Sequence, residues 1–243
     1  MRRTRLQAPV AVVVGLVLLA GCTTDSGAGP VATGGALTAP ATGTAATPPA
    51  AATSPARSTP SPTSDVIAGS LLLQPEDLHG AKLEPVPDGE SAHLRPARPC
   101  GARYPSDRTR TAAVAMRAYV SPADGYTPHV VLQYVGLHPG HADRAFDEIA
   151  EAVRGCPGGL GSGQLRWEVA GTGIAGDESL LVRVSERFSY GDEAHVVTTP
   201  TVIARVGDHV TVLADLGWEN ASGDEPKLRQ LAAKAVGRLR TTG

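Results

Sequence analysis

The side chains able to do chemistry are few and scattered. His138 and His141 stand astride Pro139-Gly140, with His129 nearby. A metal centre needs three or four converging ligands, and two imidazoles astride a turn suit a solvated loop, so no metal site is expected. The tripeptide Gly-Asp-Glu occurs at 176–178, 191–193 and 223–225. Carboxylate clusters can bind calcium, but the loop spacing with a terminal Glu is missing. Turn chemistry and helix N-termini account for these repeats instead. Ser179 follows Gly176-Asp177-Glu178 and is the one serine in a suggestive turn. A nucleophile needs a base beside it, and neither G-x-S-x-G nor S-x-x-K is present, so the chain reads as non-catalytic, with an uncharacterised hydrolase as an alternative. The glycine-rich run 158–163 leads into a strand pattern rather than a helix, which makes it a connector and not a phosphate cradle. Trp167, Trp218 and Tyr134 could line a cleft or fill the core. With nine aromatics in 243 residues, core filling is the default. No cofactor is expected.

The three cysteines divide into two kinds. Arg2, Arg3 and Arg5 form a positive segment, and an apolar run over 8–20 follows, broken only by Pro9 and Gly15. That run is short for a membrane span, which takes about 20 residues, and has the length of a signal-peptide core. It ends in Leu19-Ala20-Gly21-Cys22, which resembles the lipobox of bacterial lipoproteins. The resemblance implies cleavage after residue 21, a diacylated Cys22 at the mature N-terminus, and a protein anchored by lipid on the extracytoplasmic face of the cell membrane. Cys100 and Cys156 remain. In an exported domain two cysteines most simply make one disulfide. The closed loop of 57 residues would stabilise the fold by about 4 kcal/mol in the chain-entropy picture. A redox pair or zinc site would call for C-x-x-C or Cys/His spacings that the sequence lacks.

From residue 23 to about 64 the chain is nearly all Ala, Thr, Gly, Pro and Ser, with Asp25 and Arg57 its only charges. Such a segment cannot bury enough apolar surface to offset ordering entropy, so a disordered tether is expected over 22–65. As a coil it would span roughly 35–40 Å. Residues 66–243 carry 18 basic and 22 acidic side chains. A mildly acidic domain without a basic patch is not built for nucleic-acid phosphates. Only three of the 22 basic residues are Lys, a bias expected of a GC-rich, actinobacterial genome.

The elements that must position these residues follow from periodicity. Residues 71–78 read as a short apolar strand or turn running into one helical turn at Pro75, and 80–110 as an irregular Pro-rich stretch pinned by Cys100. Strands are predicted over 111–120 and 129–137, the second apolar on both sides and therefore central. Pro139 is placed to open a helix whose stripe is Ala142, Ala145, Phe146, Ile149 and Val153, with Gly155 as its stop. Leu165, Trp167 and Val169 alternate with polar neighbours as a half-buried strand. Three more strands follow, over 180–188, 194–206 and 209–216, the last two joined through Gly207-Asp208. Pro200 should bulge or break the middle one. A last helix begins near Asp224, with Leu228, Leu231, Ala232, Ala235, Val236 and Leu239 as its stripe. Short turns between neighbours mean antiparallel pairing. The expected fold is a single α+β domain over 66–243, an antiparallel sheet of about six strands with two main helices on one face.

The run from Cys100 to Asp215 also resembles the extracellular sensor domain of PknH-type mycobacterial receptor kinases and the actinobacterial lipoproteins that share it. The likeness rests on an ordered set of features: Cys100 before the first hairpin, VVLQYV at 130–135, HADRAFDEIAEAVRGC at 141–156, the turn at Gly176-Asp177-Glu178, and IARVGDHVTVLAD at 203–215. The resemblance implies a two-layer α/β domain with a cleft for an extracellular ligand. The expected role is a sensor-like binding lipoprotein, with a small envelope-derived molecule or a peptide as ligand. An interaction module docking on another envelope protein is the alternative.

Overall fold

A computed structural model describes residues 66–121, 128–161 and 163–241. The expected signal segment 1–21, Cys22 and the tether to residue 65 lie outside the described residues. Seven strands form one antiparallel sheet in the order β1-β2-β3-β7-β6-β5-β4. They are β1 (Glu84–Pro85), β2 (Ala112–Val120), β3 (His129–Leu137), β4 (Leu165–Thr172), β5 (Glu178–Tyr190), β6 (Glu193–Val206) and β7 (His209–Asp215), with helices α1 (Ala142–Gly155) and α2 (Glu225–Arg240). After β3 the chain crosses through α1 to lay β4 at the far edge. It then works back through β5 and β6 until β7 docks on β3. The α+β class and the antiparallel sheet are as the sequence predicts.

The helices differ from expectation: they cover opposite faces. Phe146, Ile149 and Val153 of α1 pack with Leu132, Tyr134, Val182, Val184, Ile203 and Val212. Leu228, Ala232 and Leu239 of α2 pack with Val131, Val135, Leu181, Val202, Ala204 and Leu213. Successive strand side chains point to opposite faces, and in β3, β5, β6 and β7 both sets are apolar. A sheet that is oily on both sides must be covered on both. The two apolar faces of β3 carried that information.

Two local expectations are also corrected. Helix α1 begins at Ala142, three residues after Pro139, with His141 at its N-cap. Gly140 between them has φ +65°, a left-handed backbone that no right-handed helix admits, so Pro139-Gly140 is a turn before the helix. Strand β6 runs through Pro200 without a break or a register shift, pairing it with Arg183. The reason is directional. Thr198 points its amide and carbonyl at Ser222 and Gly223, and Pro200, two residues on, faces the same side. Pairing with β7 starts only at Thr201, so no ladder donor is needed at Pro200. The segment 69–78 forms 3-10 turns at Gly69–Leu71 and Pro75–Leu78. Its Leu71, Leu72, Leu73 and Leu78 complete the α2 face.

Candidate functional site

The α1 face has two covers, and the candidate site lies where they meet. Beside α1, the Pro-rich stretch buries Val86, Leu94, Ala97 and Tyr104 against the sheet. These are few large side chains for so long a segment, and covalent and ionic ties supplement them. The structure brings Cys100 and Cys156 within disulfide distance, Cα atoms 6.0 Å apart, fixing the stretch to the residue just past α1. Cys100 (φ 50°) and Gly101 (φ 70°) both take left-handed backbone, an uncommon state for Cys. Arg98 donates to both oxygens of Asp107 at 2.9 Å and to the Ala102 carbonyl at 2.8 Å, and its guanidinium lies over the Tyr104 ring. Burial works to raise the Asp107 pKa. The Arg98 hydrogen bond and charge, the Tyr104 amide and Arg110 outweigh it and hold the carboxyl below its usual range. From α1, Glu148 accepts the Ser106 amide at 2.9 Å.

Across from Cys100, the chain leaves α1 through Pro157 and the glycine run. Gly158 has φ +67°, and a Cβ there would run into the Leu165 carbonyl oxygen, so only glycine fits this close approach. The Pro157 carbonyl accepts the Trp167 amide at 2.8 Å, covering part of the outer edge of β4. Between the two walls lies a cleft of about 750 Å³, lined on one side by Ala92, His93, Arg98 and the Cys100-Gly101 corner and on the other by Gly158, Gly159, Gly163, Gln164, Leu165 and Trp167. That size falls within the roughly 300–1,000 Å³ of small-molecule sites. Its surface is mainly apolar. His93 meets Trp167 edge to face, ring centres 6.2 Å apart. Burial pushes the His93 imidazole below the usual histidine range, keeping it neutral near pH 7.

The residues singled out in the sequence fall elsewhere, with three exceptions. The cysteine pair and Trp167 help build the cleft, and the glycine connector forms one wall of it. His138 is buried, with Nδ1 3.3 Å from the Thr109 hydroxyl, while His141 holds the N-cap position of α1 without a side-chain cap and His129 pairs with the buried Asp215 at 3.1 Å. Among the described residues no three His, Cys, Asp or Glu side chains converge as a metal site would require. Ser179 is buried and its Oγ accepts the Ile174 and Ala175 amides, which makes it a clamp on the turn before β5. The Gly-Asp-Glu repeats are structural. Asp177 accepts the Gly207 amide, Glu178 pairs with Arg205, Asp224 caps α2, and Glu225 takes Arg183 and Arg229. Gly191-Asp192 turns β5 into β6. Tyr134 is core, its hydroxyl 3.3 Å from Arg110, and Trp218 meets Tyr119 edge to face at 6.0 Å.

Sequence reasoning missed Ala92, His93, Arg98 and Gln164. A signal existed: a 100–156 cross-link draws residues 92–101 against 157–167, so the two irregular stretches had to share a site. No protein-family model matches this chain, and no curated protein resembles it closely enough in sequence to count as a match.

Proposed function

We propose that this chain is a cell-surface lipoprotein, held to the membrane through lipid on Cys22, whose folded domain binds a small envelope-derived ligand without transforming it. The cleft beside Cys100, Cys156 and Trp167 is the observation that carries this reading. It is concave, largely apolar and set with a few convergent polar groups, as binding sites are. The lipobox-like run ending at Cys22 and the resemblance to sensor domains support the location and the non-catalytic role. The test is a thermal-shift screen of the full chain against cell-wall and lipid fragments. A binder at 100 times its Kd stabilises by about 2.7 kcal/mol, and no shift with any fragment would count against the reading. Palmitate labelling lost in Cys22→Ala tests the anchor separately.

A second reading, docking on an envelope protein, is favoured by the β5–β6 hairpin. Residues 187–190 and 193–196 pair only with each other, because β4 pairing stops at Glu186 and β7 pairing at Thr201. This arm carries Val196, an exposed large apolar side chain. A cross-linked partner retained by the native chain and lost on Val196→Glu would favour this reading. Identical capture by both would remove the arm from consideration.

A further inference from the structure

The chemistry of the cleft wall narrows the ligand class. The one formal charge on it is Arg98, and that guanidinium is already paired with the Asp107 carboxylate and donates to the Ala102 carbonyl. An anion entering the cleft would have to compete with a carboxylate whose two oxygens both accept from Arg98 Nη2 at 2.9 Å. The neutral His93 imidazole, edge to face with Trp167, offers one donor and one acceptor. Gln164 adds an amide on the opposite wall, and Leu165, Trp167, Ala92 and glycine backbone supply the rest. An ionised ligand would lose its hydration here without gaining a counter-charge, which is costly. An apolar ligand loses nothing comparable and gains burial.

We infer that the cleft selects an uncharged, predominantly apolar small molecule, seated on Trp167 and Leu165 between the glycine walls, with a single polar group turned toward His93 and Gln164. This rests on the ligand-binding reading above and sharpens it to a class.

The test uses two probes that share the anilinonaphthalene ring system and differ by a sulfonate: neutral N-phenyl-1-naphthylamine and anionic 8-anilino-1-naphthalenesulfonate. Both are titrated by fluorescence into the full chain carrying Cys22→Ser. Site binding is defined as the part abolished by Ala92→Trp or Gln164→Trp, two substitutions at exposed positions that block the cleft from opposite walls. The neutral probe should bind this site at least ten-fold more tightly than the sulfonate. Asp107→Asn, which releases Arg98, should narrow that ratio by several-fold through tighter sulfonate binding. Equal or tighter sulfonate binding in the native chain overturns the proposed ligand class while leaving a binding cleft in place. No blocker-sensitive binding of either probe overturns the ligand-binding reading itself.

Discussion

The two faces of the sheet are covered by different means. On the α2 side, apolar side chains from α2, from residues 71–78 and from five strands interlock. Gln133 interrupts them, its Oε1 accepting the Leu73 amide at 2.9 Å. On the α1 side the helix packs as tightly, but the Pro-rich stretch beside it is held by the cysteine cross-link, the Arg98–Asp107 pair and the Glu148–Ser106 hydrogen bond. The cleft opens at the seam where cross-linking replaces side-chain packing and glycines leave space unfilled. One face therefore supplies stability, and the other combines stability with an open cleft.

The largest break in that comparison should come from the packed face. Leu228 is fully buried, and Leu228→Ala should cost about 2–5 kcal/mol. For a domain of this size that lowers Tm by roughly 5–20 °C, measurable by calorimetry, with site binding of the neutral probe unchanged below the transition. Next comes the stapled face. The double substitution Cys100→Ala and Cys156→Ala should cost about 2–4 kcal/mol. Unlike Leu228→Ala, it should also weaken cleft binding in chain that is still folded. If both substitutions spared binding equally, the two faces would not differ in function.

How much of this was legible beforehand follows the same division. Strands β2 to β7 and the stripes of both helices were readable because alternation and three-four spacing are local signals. The placement of α1 and α2 on opposite faces was present in β3, where Leu132 and Tyr134 oppose Val131 and Val135, but needed the topology to interpret. The tolerance of β6 for Pro200 is not legible locally, because the cost of a missing amide depends on which neighbour it faces. The cleft was nearly silent. His93 and Arg98 sit in a stretch without periodicity, Gln164 reads only as a polar position at the start of a strand, and the three are united only by a cross-link between residues 56 apart.

A smaller effect distinguishes ionic stapling from packing. Asp107 titrates below its ordinary value of 3.8 in the folded chain, so its charge stabilises the fold fully above that value. The contribution is lost as pH falls through the lowered folded pKa. Asp107→Asn should cost about 1–2 kcal/mol at neutral pH. Its stability should converge on that of the native chain in denaturant titrations run down to pH 2–3, at about the acid range where carboxylates titrate. A constant gap across that range would remove the charge from the explanation. The smallest effect is expected for Arg144→Ala. Its pair with Glu148 is largely solvent-exposed on the Arg side, and the change should stay within about 0.5 kcal/mol.

The most direct measurement maps where an apolar ligand sits. Amide chemical shifts of the isotope-labelled full chain, followed during titration with N-phenyl-1-naphthylamine, should move together at residues 92–101 and 157–167 and stay still along α2. Shifts concentrated on the 187–196 arm or on the α2 face, or none at saturating probe, would contradict a binding cleft at the cross-linked seam.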